Sequence, residues 1–151
     1  MENDNKQQDI IKMFNEIAKT YDIANRVLSM GIDKTWRRAA CNLSFKLYGK
    51  EKLDKIVDVA CGTGDLMIDW DNIGKQNGIE INDIIGIDPS VGMMEVGKTK
   101  IPNRTFIEAG AEKLPLEDES VDFISISYGI RNVVQREEGL KELQEFLKKV
   151  D

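Results

Sequence analysis

The stretch Asp58-Val59-Ala60-Cys61-Gly62-Thr63-Gly64-Asp65 decides the fold of this chain. It follows an apolar run and precedes a segment with helical spacing. Its two glycines permit a tight turn and let a ligand lie close to the backbone, and the start of the helix offers free N–H groups. The stretch is therefore predicted to be a ligand-binding turn between a buried strand and a helix.

From Lys55 onward, short apolar runs alternate with helical segments. The runs cover residues 56–60, 84–87, 105–108 and 121–127, and the helical segments cover about 65–76, 90–99 and 137–150. The first two runs are almost entirely apolar, with Asp58 as the exception, which is typical of strands buried on both faces of a parallel sheet. This alternation predicts a doubly wound, Rossmann-like α/β fold with a parallel sheet.

Ahead of this region the sequence predicts N-terminal helices. Residues 1–8 are expected to be frayed, and residues 9–20 have the apolar spacing of a helix. A second helix is predicted from Asp33 to about Tyr48, with Asp33 as its cap and Arg37–Arg38 on a solvated face. The apolar stripe assigned to this helix consists of Trp36, Ala40, Leu43 and Leu47.

Composition narrows the function classes. The formal net charge of −6 provides no broad basic field, so no nucleic-acid partner is expected. The chain has no histidine and two cysteines, which excludes a Cys/His zinc site and a histidine-based triad, and no metal is expected. Isolated Cys41 and Cys61 indicate reduced thiols and a cytoplasmic location.

The acidic residues around the glycine turn indicate the kind of ligand. Met67 stands where a pyrophosphate-binding G-x-G-x-x-G turn would have its third glycine. Asp58 and Asp65 would repel a phosphate and could pair with an ammonium, which suits S-adenosylmethionine. Asp88 ends the next strand, where a carboxylate can bind both hydroxyls of a ribose. The alternative for Asp88 is that it caps the helix that begins near Ser90.

Two further segments follow the third and fourth predicted strands. The small residues Gly110 and Ala111 would let an adenine ring lie against the backbone, with Glu112 or nearby backbone bonding its edge; the alternative is an ordinary loop. Residues 126–132 lie where open α/β sheets bind ligands, beyond the carboxyl ends of the strands. The alternatives there are an exposed Arg131 and an Asn132 that caps a helix.

Together these segments resemble the seven-strand S-adenosylmethionine-dependent methyltransferases from Lys55 to Asp151. The block Tyr21-Asp22-x-x-Asn25-x-x-Leu28-Ser29-x-Gly31, followed by Trp36-Arg37, resembles a signature of the ubiquinone/menaquinone biosynthesis C-methyltransferases, as does Tyr128-Gly129-Ile130-Arg131-Asn132. Two positions depart from that family: Asp33 replaces its usual His, and Ala24 its usual Met. Both put the local shape of the substrate lid in doubt.

The resemblance implies a site as well as a fold. It implies a helical substrate lid at residues 1–54 and an S-adenosylmethionine-binding α/β domain at residues 55–151. The residues expected to bind the cofactor are Asp58, Gly62, Thr63, Gly64, Asp88, Gly110, Ala111 and Ser127. The substrate is expected to meet Tyr21, Asn25 and Asn132, and Arg131 is the expected catalytic residue.

The implied reaction is C-methylation of a polyprenyl hydroquinone, demethylmenaquinol in the first instance and the ubiquinone precursor as the second choice. Such a substrate implies transient contact with the inner face of the membrane. The family continues past position 151 with three more strands, so the sheet is expected to lack its C-terminal strands. An exposed edge at residues 121–127 would then favour either a homo-oligomer or reduced stability.

Three other functions remain open at this stage. A methyltransferase of the same fold acting on oxygen or nitrogen would share the cofactor motifs and lack the block from Tyr21 to Trp36. A nicotinamide-dependent oxidoreductase is disfavoured by the missing third glycine. A fragment that binds the cofactor without turnover is the third.

Overall fold

The computed structural model describes residues 2–23, 31–126 and 136–149. In chain order its elements are α1 (Glu2–Ile17), α2 (Ile32–Tyr48), β1 (Lys52–Val59), α3 (Asp65–Gln76), β2 (Glu80–Asp88), α4 (Val91–Lys100), β3 (Thr105–Glu108), β4 (Phe123–Ile126) and α5 (Arg136–Phe146). Strands and helices alternate from β1 to β3, and β4 follows β3 without a helix between them, which confirms the α/β class expected from the sequence.

The four strands form one parallel sheet in the order β3-β2-β1-β4. β1 lies inside the sheet, and its last residue, Val59, is opposite Ile87 of β2 and Ile126 of β4. The carboxyl ends of the strands therefore meet at one edge of the sheet. The turn that follows β1 and the loops that follow β2 and β3 converge at this edge, where ligands bind in such folds.

The strand bounds differ from those expected at their amino ends. β1 begins at Lys52 rather than residue 56, and β2 begins at Glu80 rather than residue 84. Lys52 lies opposite Glu80 in the register, and both side chains are exposed. Because these ends carry polar residues, they lack the apolar signal of the buried halves. β4 is shorter than expected, and Val121 instead forms an isolated bridge with Leu147.

The sheet is covered on both faces. Successive residues of β1 point to opposite faces, so Ile56 packs in one cluster and Val57 in the other. The first cluster contains α2, α3 and α4 residues, including Cys41, Phe45, Met67, Trp70 and Met94. The second cluster contains residues of α5 and of the loop before β4, including Leu114, Val121, Leu143 and Phe146. Two helical layers around a parallel sheet are the doubly wound arrangement.

Helix α2 has the expected bounds, but its buried face was assigned wrongly. Its buried residues are Asp33, Arg37, Cys41 and Phe45, spaced four apart along one face. Trp36, Leu43 and Leu47 of the expected apolar stripe are 64%, 56% and 77% exposed. Asp33 does not cap the helix, because Gly31 occupies the N-cap position, and Arg37 is not solvated.

Helix α1 begins at Glu2, so the expectation that residues 1–8 are frayed is wrong for the described residues 2–8. Glu2 and Asp4 in its first turn suit the positive end of the helix dipole. The helix packs against α4, and Asn15 near its end bonds the first turn of α4. Within the described ranges, none of the helices combines the length and the apolar composition needed to cross a membrane.

Candidate functional site

A cavity of about 930 Å³ lies at the carboxyl edge of the sheet. Its floor is formed by the ends of β1 and β2 and by the segment after β3, and α1 closes one side. The lining residues from the sheet and its turns include Asp58, Ala60, Cys61, Gly62, Thr63, Asp65, Asp88, Glu108, Gly110 and Ala111. Those from the N-terminal region include Gln7, Ile11, Phe14, Asn15 and Tyr21.

The turn after β1 takes a backbone conformation that needs its glycines. Gly62 has φ 55° and Gly64 has φ 84°, both in the left-handed region. The Gly64 N–H donates to the Cys61 carbonyl at 3.0 Å, and the Cys61 N–H donates to the Ile87 carbonyl at 3.1 Å. Ala60, with φ 54°, is a non-glycine residue in the same region. Such conformations concentrate at functional sites.

Asp88 fastens this turn to the end of β2. Its Oδ2 accepts the Gly62 N–H at 2.9 Å, and its Oδ1 accepts the Ser90 N–H at 2.7 Å. Burial raises the pKa of Asp88, while these two backbone bonds act to lower it. Each carboxylate oxygen keeps a second lone pair, so the group can still accept two hydroxyl hydrogens from a ligand. Helix capping is left to Ser90, whose hydroxyl accepts the Met93 N–H at 3.3 Å.

Asp58 is a buried carboxyl at the end of the central strand. It is 2% exposed, and the Ser125 hydroxyl of β4 donates to its Oδ1 at 2.8 Å. The Trp70 indole donates in turn to the Ser125 hydroxyl at 3.1 Å. Burial, and after it the neighbouring charge of Asp88, raises the pKa of Asp58 to about 7. The group lacks a cationic partner in hydrogen-bond contact among the described residues.

The segment after β3 borders the cavity with small residues. Gly110 and Ala111 both line it, and the Ala109 N–H donates to the Asp88 carbonyl at 3.2 Å. A Cβ added to Gly110 would lie 2.5 Å from Oε1 of Glu112, so the absence of a side chain lets Glu112 fold back over the backbone. The wall is therefore flat backbone with a carboxylate beside it, which suits a planar ring that carries an amino group.

Polar contacts tie the N-terminal region to the cavity. The Ser90 hydroxyl and the Gly92 N–H donate to Asn15 Oδ1 at 2.6 and 2.9 Å. On the other side, the Thr63 hydroxyl donates to Asp22 Oδ1 at 2.5 Å. Asp22, which belongs to the predicted substrate block, therefore contacts the predicted cofactor turn directly, while Asn15 contacts the start of α4.

Lys100, at the end of α4, joins these groups. Its Nζ donates to Asp22 Oδ2 at 2.6 Å, to Asp65 Oδ1 at 2.6 Å and to the Thr63 hydroxyl at 3.0 Å. One ammonium thus bridges Asp22, the turn after β1 and the first residue of α3. The sequence carried no sign of this contact, because Lys100 is 35 or more residues from each partner.

A second cationic centre is Arg37, which also lines the cavity. Its Nη1 donates to Asp33 at 2.7 Å and its Nε donates to Asp69 at 2.8 Å, with Asp65 at 3.8 Å. Burial acts to lower the pKa of Arg37, but the hydrogen bonds to Asp69 and Asp33 outweigh it and hold the pKa above its usual value. The i,i+4 spacing of Asp33 and Arg37 is the sequence signal that could have revealed their ion pair.

Most of the predicted site residues that the structure describes lie together. Of the cofactor set, those that line the cavity are Asp58, Gly62, Thr63, Asp88, Gly110 and Ala111. Gly64 does not line it; it is the N-cap residue of α3 and lies against the Phe106 ring. Tyr21 of the substrate set lines the cavity, with its ring 6.0 Å from that of Phe14. Asn25, Ser127, Arg131 and Asn132 lie outside the described residues.

The donor set fits S-adenosylmethionine. Asp88 offers carboxylate oxygens to ribose hydroxyls, the buried Asp58 offers a carboxyl to an ammonium, and the Gly110 segment offers a flat wall to the adenine. Two buried carboxyls at the turn would oppose a pyrophosphate. Among the described residues, no cluster of three or more His, Cys, Asp or Glu side chains could hold a metal ion.

Comparison with known proteins agrees with this reading. The model of a family described as the ubiE/COQ5 methyltransferase family matches residues 2–150. A ubiquinone/menaquinone biosynthesis C-methyltransferase UbiE of Campylobacter jejuni is 54% identical over 95% of this chain and 61% of its own length. A demethylmenaquinone methyltransferase of Chlorobaculum tepidum is 40% identical over 92% of this chain and 55% of its own length.

A solved structure supports the fold. An S-adenosylmethionine-dependent methyltransferase of Thermotoga maritima superposes with a TM-score of 0.67 at 24% identity, over 93% of this chain and 57% of that chain. At that identity the likeness shows the Rossmann-like methyltransferase fold alone. The chain spans about three fifths of the length of the curated relatives it matches.

Proposed function

This chain belongs to the ubiE/COQ5 methyltransferase family, and we propose that it binds S-adenosylmethionine for C-methylation of a polyprenyl hydroquinone. The observation that carries the proposal is the meeting of Asp58, Gly62 and Asp88 in one cavity, on the fold of this family. The names of the relatives support demethylmenaquinol as the first candidate substrate and the ubiquinone precursor as the second.

The cofactor would lie across the ends of β1 and β2. Asp88 would hold the ribose hydroxyls, Gly110 and Ala111 the adenine, and Asp58 the ammonium of the amino-acid part. Gly62 and Thr63 would approach that part through backbone and hydroxyl groups, with Ser127 as a further contact predicted from the sequence. In this arrangement the polar groups at the turn act by orientation, which is a large part of what a methyl transfer requires.

S-adenosylmethionine supplies an electrophilic methyl group, so the protein has to orient and activate the ring carbon. Loss of the phenolic proton, to a carboxylate, a tyrosine or a water held by Arg131, would make that carbon nucleophilic. Its bond to the methyl group would form as the bond from sulfur breaks, S-adenosylhomocysteine would leave, and the proton on the methylated carbon would pass to water. In a chain without histidine, a permanently charged guanidinium is suited to stabilise the phenolate. Arg131 is proposed for this role, with Tyr21, Asn25 and Asn132 around the ring. Of these four residues, Tyr21 is the one that the structure describes.

Residues 1–54 are proposed to act as the substrate lid and residues 55–151 as the cofactor domain. The contacts of Asn15 and Asp22 with the cofactor side support this division. The protein is proposed to work in the cytoplasm, and a polyprenyl substrate would bring it to the inner membrane face. A methyltransferase for another small molecule remains the alternative.

Calorimetry with S-adenosylhomocysteine and with NAD tests the cofactor class directly. We expect binding of the first and none of the second, and Asp88→Ala should weaken binding by at least tenfold. Equal binding of NAD would overturn the proposal. The substrate class is tested by extending the chain to the length of its relatives and assaying both demethylated quinols. There, wild-type turnover of Arg131→Ala would exclude the role given to Arg131.

A further inference from the structure

Helix α1 packs mainly against α4 among the described elements. None of its residues is buried, and its apolar residues Met13 and Ile17 are 46% and 38% exposed. Because most helical stability in proteins comes from tertiary packing, a helix that buries so little can open at a low cost in free energy. The position of α1 therefore depends on a few identifiable contacts.

One side of α1 is turned toward the cavity. Ile10, Ile11 and Phe14 line the cavity, are half-buried, and belong to neither of the two core clusters. Their positions i, i+1 and i+4 lie on one side of a helix. A ligand in the cavity would replace water against these apolar side chains, so its binding would favour the docked position of α1.

Asn15 holds α1 against the start of α4. Its Oδ1 accepts the Ser90 hydroxyl hydrogen at 2.6 Å and the Gly92 N–H at 2.9 Å. A Cβ on Gly92 would lie 3.0 Å from Asn15 Oδ1, 3.1 Å from its Cα and 3.2 Å from its carbonyl oxygen. The two helices therefore approach this closely because position 92 has no side chain.

The Asn15 contact leads directly to the carboxylate proposed for the ribose. Ser90 is 1% exposed, its hydroxyl donates to Asn15, and its N–H donates to Asp88 Oδ1 at 2.7 Å. Pro89, Ser90 and Val91 line the cavity beside α1. Helix α1 is therefore fastened at the end of the cavity where Asp88 would hold the nucleoside.

We propose that α1 covers the adenosine end of the bound cofactor, with Asn15 as the positioning residue that holds the helix there. The surface involved is the cavity face of α1, defined as Ile10, Ile11 and Phe14. This inference rests on the proposed function, because it takes the ribose position from Asp88. It divides the proposed lid, since α1 would retain the cofactor while residues from Tyr21 onward would meet the quinol.

The quinol is the other ligand that an apolar face could cover. Ser90 follows β2, whereas the proposed substrate residues Arg131 and Asn132 follow β4 in the sequence. In the sheet, β2 and β4 lie on opposite sides of β1. The hydrogen bonds of Asn15 therefore fasten α1 on the side of the sheet that carries Asp88, which favours the nucleoside.

Two ligands that share the adenosine end test the proposal. 5′-Methylthioadenosine has the nucleoside and the sulfur of S-adenosylhomocysteine but no amino-acid part. We expect Asn15→Ala to weaken both ligands by the same factor, about fivefold by calorimetry, with faster dissociation in stopped-flow displacement. Asp58→Asn should instead weaken S-adenosylhomocysteine far more than methylthioadenosine. Unchanged affinity for both ligands in Asn15→Ala would overturn the proposal.

Gly92→Ala disturbs the same contact from the side of α4. The added Cβ would press on the Asn15 backbone, whereas alanine is the better helix former, so a loss of affinity would not come from a weaker α4. We expect a decrease similar to that of Asn15→Ala. The matched control is Asn42→Ala on α2, because exposed Asn42 accepts a hydrogen bond from Asn77 and does not line the cavity. An equal loss in the control would refute the assignment.

Hydrogen exchange gives a readout that a purely structural role of Asn15 would not change. In the free chain the α1 amides should exchange faster than those of β1, and methylthioadenosine should slow them. Asn15→Ala should remove most of this protection at a saturating ligand concentration, while the turn after β1 stays protected. Protection of α1 by a demethylated quinol alone, in a chain extended to the length of its relatives, would assign the cavity face to the substrate and overturn the proposal.

The wild-type chain separates this inference from the proposed function. If it binds neither S-adenosylhomocysteine nor methylthioadenosine, the methyltransferase proposal fails, and the inference fails with it. If it binds both, and Asn15→Ala and Gly92→Ala bind them equally well, the assignment of α1 alone is wrong.

Discussion

Asp58 is deeply buried and its pKa lies near neutral pH, so the stability of the ligand-free chain should depend on pH. The folded chain holds a proton that the unfolded chain would release near the ordinary value of 3.8, because burial raises the pKa to about 7. The free energy of unfolding of the ligand-free chain should therefore fall as pH rises from about 4 to about 7. The cost is that of a buried carboxylate without a cation beside it.

A ligand that places an ammonium group beside Asp58 should favour the ionised carboxylate and so offset the cost of its burial. We expect the affinity for S-adenosylhomocysteine to rise between about pH 6 and about pH 8, with proton release on binding near pH 6. Calorimetry in buffers of different ionisation enthalpy measures the released protons. Asp58→Asn should bind more weakly and lose the pH dependence; an unchanged profile in this variant would place the titration elsewhere.

Arg37 and Arg38 offer a matched pair of neighbouring arginines with opposite surroundings. Arg37→Leu would leave Asp33 and Asp69 buried without their cation, and we expect a loss of about 3–5 kcal/mol in the free energy of unfolding. Arg38→Leu should change it by about 1 kcal/mol or less, because Arg38 is half-buried and forms no ion pair with another described residue. Urea denaturation measures both. Similar losses for the two variants would mean that the buried ion pairs contribute little.

Sequence analysis located the site residues that lie in one turn of the chain or at the end of the adjacent strand. Gly62, Thr63 and Asp58 share one turn, and Asp88 ends the adjacent strand. Arg37 was placed on a solvated face because its partner Asp69 lies 32 residues away. A charge pattern on one helix cannot show that another helix will neutralise it.

At the scale of elements, α2 shows why its apolar spacing was misleading. The helix has two candidate faces, and the one with more apolar residues was assigned to the core. The face that packs instead combines Cys41 and Phe45 with a charged pair, because Phe45 meets Trp70 edge-on at 5.2 Å and Arg37 meets Asp69 on α3. The sequence predicted the bounds of the helix, whereas its rotation depended on aromatic and charged partners on α3.

The end of α4 contacts both the proposed lid and the turn after β1 through Lys100. Lys100→Met would leave Asp22 and Asp65 without their shared ammonium, and we expect a loss of about 1 kcal/mol because the group is partly exposed. Affinity for S-adenosylhomocysteine should fall as well, since Thr63 loses a partner. Lys98→Met, at an exposed position of the same helix, is the control. Equal effects in both variants would exclude the bridging role.

At the scale of the whole molecule, the parallel sheet was predictable from the sequence. The side of β4 that faces away from β1 bears on association between copies of the chain. Buried apolar strands and the glycine turn predicted a parallel Rossmann-like sheet, and the order β3-β2-β1-β4 agrees. Among the described strands, β4 pairs on one side, with β1. Its residues Phe123 to Ile126 are half-buried, and no other described strand lies along its second side.

We expect copies of this chain to associate through the β4 edge as concentration rises. Size-exclusion chromatography across a dilution series should show a shift toward larger species at high concentration. The shift should persist in Trp36→Gln, because Trp36 is an exposed residue near the start of α2 and not part of the sheet. A single monomer peak at every concentration would argue against association through the edge.

The alkylation rates of the two cysteines should report two different opening events of the molecule. Both thiols are buried, and burial raises the pKa of Cys41 to about 12 and that of Cys61 further. Thiolates are the reactive species, so alkylation should wait for each site to open. Cys41 lies in the core under α2 and Cys61 in the turn beside the cavity. Their labelling rates should therefore time global unfolding and local opening of the turn separately, without any introduced probe.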